Sequence, residues 1–324
     1  MERAEGRGEM IRLAPTEIAA FGKLPWAADF ISTGTSDRAE AFLHWLEQGI
    51  GQGGARGENW KQCFDAGAQK GFLFRVNAEE MLAGVIAPSQ DAVGRRFPFA
   101  VFCNLPLQTV LAAGHTLPLS LGSFLQSCGG QIEQLATARV DVSAALRTLP
   151  LPDLSAVDAH EEGYVGWTRE APLRVAGQAI FGANWRDALA HALYIIIEST
   201  RATFGQADAK TALAVRLPGG SGAAGAAALW IHVMRLCGGW AKALPSCVWS
   251  FDPYGASITM FVGQATGASF ADLWERTPNN DWLSDLVAAP ATAADYLAQI
   301  RPDLSQIVYS ESTSVADLLT ALAI

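Results

Sequence analysis

The feature that most restricts this fold is a set of three closely spaced apolar runs, at residues 72–76, 81–87 and 97–105, built largely from Phe, Leu, Val, Ile and Ala. Runs of this length between polar breaks read as strands, and the connection 77–80 is short enough to make the first two an antiparallel hairpin. Sequential strands usually neighbour one another, so all three are expected in one sheet. A helix is expected to precede them at 37–49. There Asp37 and Glu40 have capping-box spacing, and Ala39, Phe42, Leu43, Leu46 and Ile50 form one stripe. Gly49, Gly51, Gly53 and Gly54 are expected to end that helix in a flexible loop. Trp60, Cys63 and Phe64 suggest a second, shorter helix. After Pro106 the pattern turns helical, at 117–128 and again at 140–149.

Residues 150–173 carry Pro150, Pro152 and Pro172 and the acidic cluster Asp158, Glu161 and Glu162, without sustained periodicity. They read as a linker or long surface loop. The second half restarts with a helix at 184–203, capped by Asn184, followed by a strand at 211–217 and a glycine-rich loop. Then come a helix at 225–240 and two strands, 247–251 and 257–262, joined by the turn Asp252, Pro253, Tyr254, Gly255. Helical pieces near Phe270, Ala293 and Val315 finish the chain. Strands and helices do not alternate strictly. The fold class is therefore α+β (mixed α/β), with a mixed, largely antiparallel sheet flanked by helices and followed by a second α/β half. The expected domains are 12–149 and 174–324, with 150–173 between them.

Half of the residues are hydrophobic, enough for a large core, and the net charge is −9. A negative balance argues against nucleic acid and against anionic membrane surfaces as partners. Residues 1–15 contain no apolar signal-peptide core, and the apolar run 192–197 is far short of the ~20 residues of a spanning helix. The cysteines Cys63, Cys103, Cys128, Cys237 and Cys247 form no CxxC pair. Isolated thiols of this kind suit a reducing compartment. A cytoplasmic protein without membrane insertion is expected.

Signs of chemistry are weak. Gly220, Ser221, Gly222, Ala223, Ala224 and Gly225 spell a formal GxGxxG between a strand and a helix. However, Pro218 and Gly219 separate it from the strand, no lysine follows, and the next strands form a hairpin instead of a parallel unit. The loop 219–225 is expected to be mobile and to bind no nucleotide; a nucleotide- or small-molecule-responsive module built on it is the alternative reading. Ser221 also sits in a degenerate nucleophile elbow, for which His232 is the histidine that follows in the chain. This makes a hydrolase the weaker alternative. His44, His115, His160, His191 and His232 show no metal-ligand spacing, and His160 beside Glu161 and Glu162 reads as a solvated acidic patch. No catalytic residues, no cofactor and no metal are expected.

Two segments carry more information. In the first, Gly22, Lys23, Leu24, Pro25 and Trp26 run into Asp29 and Phe30. In the second, Pro88, Ser89 and Asp91 lead to Gly94, Arg95, Arg96, Phe97 and Pro98. Glycine and proline fix both turns, and Asp29, Asp91, Arg95 and Arg96 are expected to meet at the sheet edge as a structural ion-pair cluster or a partner-binding surface. The turn carrying Lys23 and Asp29 is expected beside the loop carrying Ser89, Asp91 and Arg95. The candidate cluster is thus Lys23, Pro25, Asp29, Ser89, Asp91, Gly94, Arg95 and Arg96.

The pattern G-K-x-P, then D-F, then P-S-x-D-x-x-G-R-x-F-P about sixty residues later resembles the N-terminal domain of the TagF (ImpM) family. Ala28 departs from the glycine the family commonly has there. The resemblance covers roughly residues 18–105. It implies a non-catalytic cytoplasmic regulator, a post-translational repressor of type VI secretion. Its partner would be a protein of that machinery, a forkhead-associated scaffold. Some relatives carry a fused phosphatase domain, whose acidic metal-binding motifs this sequence does not show.

Overall fold

The structure, a computed structural model, describes residues 17–35, 39–77, 79–206, 209, 211–220, 222–240, 243–250, 256–275, 278, 280–287, 296 and 299–323. Its strands are β1 (Ile18–Gly22), β2 (Ile31–Thr33), β3 (Lys70–Arg75), β4 (Glu80–Ala87), β5 (Phe99–Pro106), β6 (Ala214–Gly220), β7 (Cys247–Ser250), β8 (Ala256–Phe261) and β9 (Leu283–Asp285). Among the described residues they form one sheet in the order β2-β1-β5-β4-β3-β7-β8-β6-β9. The pairings are antiparallel except β6 with β9. The three expected strands are β3, β4 and β5, adjacent in space and paired in the hairpin order read from their spacing. The fold is α+β, as the mixture of runs implies.

Side-chain alternation sorts the sheet into two buried faces. Leu73, Met81, Ala83, Val85, Val101, Cys103, Trp249 and Met260 enter one core. The intervening Phe72, Phe74, Leu82, Ile86, Phe102, Val248 and Phe261 enter the other. Helices α5 (Gly122–Thr137), α9 (Trp185–Arg201) and α10 (Ala223–Gly238) cover the first face. The second lies under α1 (Glu40–Ala55), α2 (Glu58–Asp65) and α11 (Gly267–Asp272). Burial on both sides explains why the central strands read as continuous apolar runs.

Three expectations fail at this level. Helix α1 does not stop at its glycines but runs through them to Ala55. Gly49 and Gly53 are contact notches: a Cβ at Gly49 would lie 2.2 Å from the Phe270 ring, and one at Gly53 2.2 Å from the Trp60 ring. Close packing against aromatic rings outweighs the intrinsic cost of glycine, about 1 kcal/mol per position. Asp37 lies outside the described residues, and so do the turn 252–255 and the helical piece near Ala293.

The stretch 150–173 is mostly helix, α7 (Val157–Glu170), leading into α8 (Leu173–Phe181), which the sequence reading passed over. Helix α7 buries only Tyr164 and Thr168, so too few apolar positions mark its inner face. The halves on either side of it share the sheet. Strand β3 pairs with β7, and Gly71 lies opposite Trp249, whose ring would be 2.6 Å from a Cβ there. The loop 219–225 is also shorter than expected. Gly219 and Gly220 extend β6, with Gly220 at φ +59° where the register shifts, and α10 starts at Ala223.

Candidate functional site

The two glycine- and proline-rich segments meet beside β1 and β5. Gly22 closes β1 with φ +136°, and a Cβ there would stand 2.0 Å from the Pro98 carbonyl oxygen, so the close approach of the two segments requires glycine. Pro25 then occupies the second position of a turn closed by the Ala27 amide donating to the Leu24 carbonyl at 2.9 Å. Trp26 pins this turn to α5 by donating its indole N–H to the Leu135 carbonyl at 2.7 Å. The second segment turns at Asp91, whose Oδ1 accepts the amides of Val93 at 3.1 Å and Arg95 at 2.8 Å. Gly94, at φ +83°, supplies the left-handed residue that returns the chain.

Contacts then lock the loops together. The Ser89 hydroxyl donates to the Lys23 carbonyl at 2.6 Å, and the Ala92 amide to the Ala27 carbonyl at 2.9 Å. Lys23 and Asp91 are both buried and form an ion pair at 3.0 Å. Arg95 adds Nε to Asp91 at 2.6 Å and reaches across to the Ala28 carbonyl at 2.8 Å. Burial works to raise the Asp91 carboxyl, but the Arg95 amide, Lys23, the Arg95 side chain and the Val93 amide outweigh it and hold it well below the usual carboxylate range.

The expected foursome is only partly assembled. Asp29 is exposed and makes no ion pair among the described residues. Arg96 turns away to Asp65 on α2, forming a bidentate pair at 2.7 and 2.6 Å. Asp65 is too far along the chain to be read as its partner, and nothing local marked it. A further element that the sequence reading did not find is the ring cluster of Phe21, Phe30 and Phe97, with the Lys23 ammonium 4.9 Å from the Phe30 ring centroid. Above the locked pair the surface is open. Phe30 is 45% exposed, Val93 72%, and the Arg95 side chain 59%.

A second polar cluster lies under α7. His115, in the short turn after α3 (Leu107–Ala113), stacks on His232 of α10, with ring centroids 3.8 Å apart. His232 Nδ1 is 3.2 Å from the Tyr164 hydroxyl, and His115 Nε2 is 3.6 Å from Glu161, both on α7. Arg235 faces the stack from α10. Burial first, then the neighbouring His232 and Arg235, push His115 down to about 3; burial and Arg235 push His232 down to about 4. Both rings are therefore neutral at pH 7. His160, expected to be solvated, instead pairs its Nδ1 with the Ser120 hydroxyl at 3.0 Å. His232 is committed to this cluster, and Ser221 lies outside the described residues, so the serine–histidine reading gains no geometry. No group of three or more His, Cys, Asp or Glu side chains converges as a metal site among the described residues.

Acid should weaken the fold through the histidine stack. An imidazole held neutral by the fold takes up its proton on unfolding, so stability is fully present above about pH 6.5 and falls as the pH drops toward 4. The slope is on the order of 1 kcal/mol per pH unit for each ring. Half-buried His191, also lowered by burial, adds in the same direction. Asp272 opposes it: burial raises that carboxyl to about 6 despite Arg56, so it gains protons on folding in the same window. Urea unfolding at pH 7 and pH 5 should therefore show a smaller loss for His115→Phe than for the parent protein. Equal losses would exclude the stack as the origin.

Beside this cluster a cavity of about 560 Å³ opens between α7, α8, the end of β6 and the start of α10. Leu119, Tyr164, Trp167, Val175, Ile180 and Leu229 contribute to its lining, as do Gly219, Gly220, Gly222 and Gly225.

No helix among the described residues is long and apolar enough to cross a membrane. No curated protein matches the chain. Among solved structures, the crystal structure of PA0076 from Pseudomonas aeruginosa PAO1 aligns at 26% identity over 42% of this chain, with a TM-score of 0.36. The match spans 64% of the length of that protein. Residues 19–150 match the model of the TagF N-terminal domain, described as type VI secretion system-associated. That segment holds both locked loops in full, so the part of the chain that builds them is similar to the type VI secretion-associated TagF N-terminal domain.

Proposed function

We propose that this protein is a non-catalytic cytoplasmic regulator, a post-translational repressor of type VI secretion, and that it acts by binding another component of that machinery. The observation that carries the reading is the family match over the segment that builds the locked loops. The loops present Phe30, Val93 and Arg95 outward on a backbone fixed by Lys23 and Asp91. An exposed aromatic and an arginine on a rigid support are residue types enriched at interfaces, and the exposed Val93 adds apolar area beside them. The partner expected from the family resemblance is the forkhead-associated scaffold.

The test is capture of that scaffold by purified protein carrying Val93→Asp or Arg95→Ala. Each variant is expected to keep its melting temperature within a few degrees and to bind about ten-fold more weakly or worse, as interface anchors do. Undiminished capture by both variants would remove this face from the interface, and no capture by the parent protein would remove the scaffold as partner.

A further inference from the structure

The cavity between α7, α8 and α10 is a cleft open to solvent that lies apart from the docking face. At about 560 Å³ it falls within the range of small-molecule sites. Its walls are mostly aliphatic and aromatic, with His160 among them, and no Asp, Glu, Lys or Arg among the described residues contributes to its lining. Trp167 and Val175 belong to that lining and stand 40% and 51% exposed. Gly163, Gly222 and Gly225 also line it, and a Cβ at any of them would meet nothing within 4 Å. Side chains there would occupy the empty volume, which the glycines keep open.

The lining also selects the ligand's chemistry. Walls this apolar favour a hydrocarbon body and leave a strongly polar one undersolvated. The first turn of α10 borders the cavity at Gly225, its N-cap residue Gly222 provides no side-chain cap, and among the described residues no acidic side chain in the lining repels an anion. A helix N-terminus favours negative charge. We propose that the cavity binds the hydrocarbon chain of a free, single-chain fatty acid, with its carboxylate toward the start of α10. This binding is independent of the docking face at Val93, so the two proposals can fail separately.

The test is calorimetric titration of the full-length protein with decanoate, kept below its micelle concentration. Saturation at one equivalent is expected. Gly225→Leu should bind about ten-fold more weakly or worse, because two displaced methylenes already carry that much transfer free energy. Gly225 does not have a positive φ, so leucine suits its backbone and the melting temperature should hold. Gly163→Leu fills the cavity from α7 and serves if the first variant does not fold. Decyltrimethylammonium, with a cationic head on the same chain length, should bind more weakly than decanoate. Absence of decanoate binding, equal binding by both filled variants, or equal binding of the two head groups would overturn the proposal. So would a dimer in sedimentation that Gly225→Leu dissociates, since a second copy would then be the occupant.

Discussion

Lys23→Met should lower the melting temperature by on the order of 5 °C or more, well beyond the effect of Arg95→Ala, although both residues pair with Asp91. The difference follows from where each partner sits. Lys23 and Asp91 are 6% and 2% exposed, so removing the ammonium leaves a carboxylate facing a methionine side chain out of reach of water. Arg95 approaches from outside with its side chain 59% exposed. Its loss leaves Asp91 with Lys23 at 3.0 Å and with the amides of Val93 and Arg95. Burial opposes the charge, yet these donors keep the folded carboxyl depressed, so its contribution is present above about pH 4 and is lost as the pH falls further. Parallel thermal melts at pH 7 decide the matter. If the two variants fall equally, Lys23 is not the counter-ion on which the loops depend. If Lys23→Met also keeps partner capture at low temperature, the pair is a brace under the docking face and no part of it.

The legibility of this fold follows the range of the interactions. Strands β3, β4 and β5 were readable because their signals are local: short connections and apolar runs, which are continuous because both faces of the sheet are buried. The meeting of the two loops was readable in part, because Gly22, Pro25 and Gly94 fix backbone shape from their own identities, and the opposite charges of Lys23, Asp91 and Arg95 suggested partners. What escaped depends on residues far apart in the chain. Asp65 meets Arg96 only because α2 is carried past the loop. His115 meets His232 only because α10 crosses the turn after α3. The glycines of α1 misled for a related reason. Read locally they break a helix, whereas the folded chain uses them to admit Phe270 and Trp60. Helix α7 shows the opposite difficulty: with Tyr164 and Thr168 as its buried residues, it gave the eye no stripe to follow.

A chain cut after residue 150, although it retains the whole family-matched segment, should fail to give a monomer with a cooperative unfolding transition. The cut would strip β3 of β7 and leave the backbone from Lys70 to Leu73 as an open edge in the middle of an apolar sheet. Such edges pair with other chains. It would also uncover the aromatic side of α1 and α2, because Phe270, Trp274, Val248 and Phe261 complete the core that Phe42, Trp45, Trp60 and Phe64 begin. The indoles of Trp45 and Trp60 would lose their acceptors, the carbonyls of Thr266 at 2.7 Å and Ala271 at 2.8 Å. Arg56 would lose both Asp272 and Glu275. Each large side chain returned to water costs about 2 kcal/mol, and an intact domain has only about 5–15 kcal/mol to lose. Four or five such losses are enough to unfold it. Size exclusion and urea unfolding of residues 17–150 beside the full chain measure this directly. Aggregation, or a broad transition without a native baseline, is the expected result. A monomeric fragment with a sharp transition would instead show that the segment folds alone and that the β3–β7 seam joins two domains, each with a core sufficient for itself.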